Sequence, residues 1–320
     1  MNSFRKFMHE RPYAFALFLS IILLLANMFV STNFLAPANI PGLLTTLAPF
    51  VLVGFASTPS IISGGIDISV GPLATFVSCV LVAVLFPAGL GEWFVAIPIT
   101  LLLAAGIGAI NGFFVAVLRV NPVLATTGML FLLIGLSLTV SPSPVSAPAG
   151  NWTKLLGSTF GVVPGALFTM LAAAAVWFIL SRSAYVRNLI ATGDSDVSAF
   201  GSGVNINVVR VTAYAVGGLF AGIAGIALTA MLQSSQPNQA GTYALLGLAA
   251  AVLGGTALGG GRGGLLGTFF GATTIYLLQQ LLTAAGVAPS LIQLAYGAVL
   301  VVGVVLGATI LNSEGRRKKA

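Results

Sequence analysis

Charge is the scarcest property of this chain. Asp, Glu, Lys and Arg make up 6% of its 320 residues, against about a quarter in an average soluble domain. The only histidine, His9, lies in the N-terminal tail, so no Ser-His-Asp triad and no histidine zinc site can form within the apolar body. The single cysteine, Cys79, excludes an intramolecular disulfide and sits in an apolar run, where it reads as packing. No lysine is followed by Ser or Thr, which excludes the P-loop signature. Asp67 is the only acid near membrane depth, so the paired intramembrane carboxylates of a proton-driven pump are missing. Heptads, charged low-complexity tracts and soluble-domain composition are all absent.

What is present is hydrocarbon. Of the residues, 58% are hydrophobic, and mean hydropathy is +1.06. A net charge of +7 raises the question of nucleic acid. The charges, however, lie at the ends of apolar runs, as the positive-inside rule expects of a membrane protein. Arg5, Lys6 and Arg11 precede the first run, Phe15–Val30. That run is longer than a signal-peptide core and is followed by many more, so it reads as a first transmembrane helix. Further runs follow at 43–62, 72–86, 93–118, 123–140, 164–181, 211–231, 244–258, 265–283 and 289–310.

The expected fold is therefore all-α: one polytopic membrane bundle of about ten transmembrane helices over residues 1–320, with both termini cytoplasmic. That arrangement places Arg5, Lys6, Arg11, Arg119, Arg182, Arg187, Arg210, Arg262 and the Arg316–Lys319 cluster inside and only Lys154 outside. The long outer connection, 141–163, is rich in Pro, Ser and Gly and carries Trp152 as an interfacial anchor.

Two glycine segments mark the inner face. Gly64-Gly65-Ile66-Asp67-Ile68-Ser69-Val70-Gly71 joins the second and third runs, with Pro72 suited to a first helical turn. A carboxylate here either caps the third helix or pairs with a cation and gates, and Arg262 is the candidate partner at the same depth. The second segment, Gly254–Gly267, also follows an inward run and precedes an outward one, a hint of internal duplication. Small-xxx-small spacings such as Gly218–Gly222 and Gly267–Gly271 point to close helix packing. Asn111, Gln279, Gln280 and Gln293 are amides at membrane depth. They serve either interhelical hydrogen bonds or the path of a neutral polyol.

The longest inner polar stretch, 182–210, holds Arg182, Arg187, Asp194, Asp196 and Arg210. Within it Gly193, Asp194 and Ser195 precede Asp196, Val197 and Phe200, and Gly201 and Gly203 follow. This pattern reads as a short capped helix held outside the bilayer, either a docking element or a plain connection. A chain with neither a nucleotide site nor a proton relay needs energy from a partner if it pumps. The other reading is a stand-alone channel or facilitator, which needs no docking element.

GGIDISVG, the segment NGFFVAVLRVNPVLATTGMLFLLIGLSL from Asn111, AGIAG from Ala221 and GGTALGGGRGGLLGT from Gly254 resemble the permease subunits of ribose-type sugar ABC importers. The resemblance runs from about Phe34 to Gly307. It implies a pair of permeases, identical or merely similar, in the lipid of a bacterial inner membrane. It also implies two cytoplasmic ATPases that carry the ATP and Mg, and a periplasmic or surface sugar-binding protein; the chain itself holds no cofactor. The family's coupling loop corresponds to the region around Gly193–Gly203. Where the family carries an E-L-D-x-I-A-A pattern before the second glycine turn, this chain has Ala244, Leu245 and Leu246.

Overall fold

The computed structural model describes residues 13–239, 243, 245–298 and 301. The chain begins with α1 (Ala14–Val30), α2 (Ile40–Ile62) and α3 (Val70–Val80), which runs on into a wider π-helical turn at Leu81–Leu85. Then come α4 (Trp93–Ala116) and α5 (Pro122–Val140). The outer connection carries β1 (Val145–Ser146), α6 (Thr153–Leu156), β2 (Thr159–Phe160) and β3 (Val163–Pro164). After it come α7 (Ala166–Arg182), α8 (Tyr185–Asp194), α9 (Asp196–Gly201) and α10 (Ile206–Leu232). The chain continues through β4 (Ser234–Ser235), α11 (Leu246–Leu253), α12 (Leu265–Ala284) and α13, helical over 289–298.

Helix starts follow local chemistry. Asn121 accepts from the Val123 amide at 3.0 Å ahead of Pro122, and Asn205 accepts from the Val208 amide at 3.2 Å at the head of α10. α2 continues through Pro49 and Pro59, which a packed bundle tolerates because neighbours satisfy the freed carbonyls.

Five helices, α2, α4, α5, α10 and α12, are long and apolar enough to cross a membrane, and α7 with α8, bent by 79°, makes a sixth candidate. The molecule is thus a helical, polytopic membrane bundle. The ten expected runs all coincide with helix in the described residues, but four are short of a full crossing there. α1 has 17 residues, α3 has 11, and α11 has 8; at 1.5 Å per residue α11 spans only about 12 Å. The tenth run is described only to 298 and at 301.

α2 and α10 form the centre, with most of their apolar length buried, while α4 and α5 are peripheral and turn Leu102, Leu124 and Phe131 outward. α10 packs on α4 and α2 through small residues: a side chain at Gly218 would overlap the Ala104 carbonyl, and one at Gly108 the Tyr214 carbonyl. Gly267 and Gly271 make the same close approach to α11 at Gly254 and Ala250, so the small-residue spacings do serve packing.

The two glycine turns share one backbone. Gly64 (φ +83°) donates to Ile61 O at 2.9 Å and Gly65 to Ser60 O at 2.9 Å. Gly255 (φ +90°) donates to Val252 O at 2.9 Å and Thr256 to Ala251 O at 2.9 Å. Both are Schellman caps, with glycine in the left-handed position that other residues avoid. The suspected duplication therefore extends from sequence to hydrogen-bond pattern.

Candidate functional site: an inner-face junction behind a protruding helix

The last carbonyls of α2 are the meeting point of three chain segments. Gly261, from the second glycine turn, donates its amide to Ile62 O at 2.9 Å. Arg210, in the first turns of α10, donates Nε to Ser63 O at 3.4 Å. Gly193, near the end of α8, packs so tightly between Ile62 O and Gly261 N that any side chain there would overlap both. The sequence pattern places Gly193 among the small, capping residues ahead of a helix. It is instead inside a helix, as a contact residue.

α9 leaves this junction at its base. Ser195 caps it, accepting from the Ser198 amide at 3.3 Å, and Ala199 is buried against the body. Arg210 Nη2 meets Asp196 Oδ1 at 2.9 Å, so one guanidinium ties α9, α10 and the end of α2 together. Val197 and Phe200, 84% and 74% exposed, point away. Gly203 (φ +81°) closes the segment. Beside it opens a cavity of about 730 Å³, whose lining includes Gly64, Gly65, Arg119, Asn121, Val197 and Phe200.

Asp67 lies deeper. Its Oδ1 accepts from the Ser69 amide at 2.9 Å and the Ser69 hydroxyl at 2.6 Å. It thereby holds the N-cap residue of α3 rather than the first-turn amides themselves. Asn111 Nδ2 donates to Ser69 Oγ at 2.9 Å, while Asn111 Oδ1, also buried, has no hydrogen-bond partner among the described residues. Burial pushes the Asp67 carboxyl up from its ordinary range, against the opposing pull of its bonds to Ser69 and Asn111. Ser69 and Asn111 face it and the Tyr214 hydroxyl lies at the neighbouring Ile66 carbonyl, while the Arg262 side chain is exposed on the second glycine turn. Gly71 is buried in the first turn of α3.

The amides expected along a polyol path do not converge. Asn111 belongs to the Asp67 cluster in the C-terminal half of α4, where it donates to Ser69. Gln293 is exposed on α13. Gln279 accepts from the Tyr296 hydroxyl at 2.5 Å, and Gln280 lies beside the Tyr276 hydroxyl. At the other end of the bundle Trp152 Nε1 donates to Gly91 O at 2.7 Å, pinning the long connection to a neighbouring loop. β1 pairs with β4, and Ser141 and Ser235 share a 2.7 Å hydrogen bond. Leu245 is exposed and Leu246 buried at the head of α11, while Ala244 lies outside the described residues.

Sequence reasoning missed the Arg210–Asp196 pair, which spans 14 positions; it did read the break between α10 and α11, placing separate runs at 211–231 and 244–258.

The fold is thus a polytopic membrane bundle with a bare helix standing off one end. A family model described as the permease component of branched-chain amino acid transport systems matches residues 39–306. The chain belongs to that permease family, a transport component and not an enzyme. It is 32% identical over 289 residues to the ribose import permease RbsC of Bacillus subtilis, covering 89% of each chain. It is 32% identical over 294 residues to RbsC of Escherichia coli K12, covering 89% of this chain and 90% of the relative. It is 27% identical over 323 residues to the fructose import permease FrcC of Rhizobium meliloti, covering 96% of this chain and 88% of the relative. No solved structure matches.

Proposed function

We propose that this chain is the permease subunit of an ABC importer that moves a neutral pentose, hexose or related polyol across a bacterial inner membrane. The relatives named for ribose and fructose, and the D-allose permease of Escherichia coli at 27% identity over 95% of this chain, support the substrate class. In this reading α1, α3, α11 and α13 belong to crossings completed by the chain that adjoins them. The count is then ten, with both termini cytoplasmic and the whole chain a single permease domain. A second permease, the same or a similar chain, sits alongside it in lipid. A binding protein delivers sugar from outside. Two ATPases holding ATP and Mg engage α9, with Val197 and Phe200 as anchors.

The observation that carries this reading is α9 itself, bare at its tip and fixed at its base to α2, α10 and the second glycine turn. A push on Phe200 moves Asp196, hence Arg210, hence the Ser63 carbonyl, and the packed Gly193 carries the same displacement to Ile62 and Gly261. ATP binding and release then rock the helices behind the turns between outward- and inward-open states. Proteoliposomes holding this permease, its ATPases and its binding protein test the reading. Sugar uptake should require internal or external ATP on the ATPase side, and downhill uptake without ATP or ATPase would make the chain a facilitator instead.

A further inference from the structure

The cavity beside α9 carries a charge that nothing on its lining balances. Its floor is buried and includes Gly65, Val115, Ala116 and Tyr214, while Arg119, Asn121 and Asn207 stand exposed at its rim. Arg210 and Asp196 also line it, but they answer each other at 2.9 Å. Asp196 is the only carboxylate on the lining. Arg119 makes no hydrogen bond or ion pair with any of the described residues. The cavity is therefore left with one net positive charge, on a guanidinium at its rim.

Arg119 also holds an unfavourable backbone. It lies in the turn between α4 and α5 with φ +56°, a left-handed conformation that suits glycine and is uncommon for other residues. The turn thus keeps a guanidinium where glycine would fit the backbone better. Two helix starts line the same space: Asn121 and Pro122 at the head of α5, and Ile206 and Asn207 at the head of α10. Their positive dipole ends add to the field of the arginines. A volume of about 730 Å³ is ample for a small anionic group.

The surroundings of Arg119 decide which anion. Val117 and Leu118 before it, and Val120, Val123 and Leu124 after it, are all exposed. Such bare aliphatic side chains at the end of a peripheral helix pair belong in hydrocarbon, and they put the guanidinium at headgroup level. Free phosphate, or an acidic side chain of a soluble partner, would use the charge and leave the aliphatic surface in water. A phospholipid uses both, with its phosphodiester on the guanidinium fork and its acyl chains along the valines and leucines. Basic pockets between helices on the cytoplasmic side take anionic headgroups in this manner.

We propose that this cavity binds an anionic phospholipid of the inner leaflet. Arg119 holds the phosphodiester, and Arg210 with the heads of α5 and α10 completes the anion cradle. The proposal rests on the reading above that places this face inside. The bound headgroup sits against Val197, Phe200 and the Arg210–Asp196 pair, so lipid and ATPase act on the same helix.

The full-length permease, purified in non-ionic detergent and offered phosphatidylglycerol or phosphatidylcholine, tests this by native mass spectrometry of the retained lipid. The proposal expects one phosphatidylglycerol per chain, held in preference to phosphatidylcholine. Arg119→Gln should weaken that retention about tenfold, through loss of one charge-assisted contact. Arg187→Gln removes an exposed charge on α8, off the cavity lining, and should retain lipid as wild type does. Arg119→Gly gives φ +56° the residue it suits, so it should lose the lipid at undiminished thermal stability. It carries the test if Arg119→Gln fails to insert. Equal retention by wild type and the Arg119 variants overturns the proposal. Equal loss in Arg187→Gln overturns it too, because the attraction would then be to net charge and not to a site. Displacement by millimolar inorganic phosphate would assign the cavity to a free anion. A fall in ATPase recovery with lipid retention unchanged would assign it to a partner's carboxylate. Either result refutes the lipid. The readout needs no ATP, so it stands apart from the importer reading. A cysteine at Ser202 labelled from outside in intact cells would instead overturn the inward placement, and the inner leaflet with it, whatever lipid is retained.

Discussion

A single methyl group at Gly193 is the sharpest perturbation available at the inner-face junction. The added carbon would overlap the Ile62 carbonyl oxygen and the Gly261 amide nitrogen, both backbone atoms that cannot swing aside as a side chain tip would. Either α8 lifts away from the end of α2, or the 2.9 Å bond from Gly261 to Ile62 opens. Overpacking of this kind costs about 1–3 kcal/mol, and a broken buried hydrogen bond adds about 1 kcal/mol. Spread over the docked geometry of α9, that predicts a ten- to hundredfold loss of coupled transport, roughly a factor of ten per 1.4 kcal/mol. Insertion should persist, because the site lies at the end of the helices and not along them. Gly201→Ala is the matched control: nothing lies within 4 Å of a methyl there. It occupies the last turn of α9, where alanine improves helix propensity by up to about 1 kcal/mol. Uptake and ATPase recovery, measured side by side at equal membrane expression, should therefore fall for Gly193→Ala and hold or rise for Gly201→Ala. Equal activity of the two variants would refute the claim that Gly193 transmits force through contact.

Further outcomes follow from the same geometry. Arg210→Ala removes both the Asp196 and Ser63 contacts. The ion pair is partly exposed, so its loss alone should cost less than about 1 kcal/mol, and the variant should fold normally while ATP hydrolysis loses its stimulation by loaded binding protein. Asp67→Asn keeps an oxygen for the Ser69 amide and hydroxyl, so it should transport near wild type; Asp67→Ala strands those donors at a cost of about 1–3 kcal/mol and should lower expression or thermal stability in detergent. Should Asp67→Asn abolish uptake with insertion intact, the acid gates and does more than hold the head of α3. Cysteines at Ser3 and Asn312, both outside the described residues, should resist an impermeant thiol reagent in intact cells, and one at Ser158 should react. Labelling of either terminus from outside breaks the ten-crossing topology.

Hydropathy located the helices because burial in lipid imposes one requirement, a long apolar run, that sequence states directly. It was less informative about length in three dimensions. The run at 244–258 is apolar, yet its described helix, Leu246–Leu253, stops at the Schellman cap on Gly255. Ser195 and Gly203 were readable as cap and stop, since capping chemistry is local. Gly193 was not, because its role depends on Ile62 and Gly261, distant in the chain. Asn111 at membrane depth fitted both a path and an interhelical bond, and its 2.9 Å contact with Ser69 is the bond. Arg210 and Asp196 lie too far apart for a helix-spacing rule to pair them, and the two tyrosines that stand edge-on to Phe50, Tyr243 and Tyr276, are equally distant from it in the chain.

The most direct measurement is recovery of the ATPase subunits by tagged permease, wild type against Phe200→Ala. Phe200 is 74% exposed, so its truncation leaves the fold alone, while loss of a buried aromatic anchor in a complex costs on the order of 2 kcal/mol or more. The account predicts an inserted, correctly folded Phe200→Ala permease that brings down at least tenfold less ATPase and takes up little sugar. Undiminished ATPase recovery with normal uptake would contradict it and make α9 an ordinary connection.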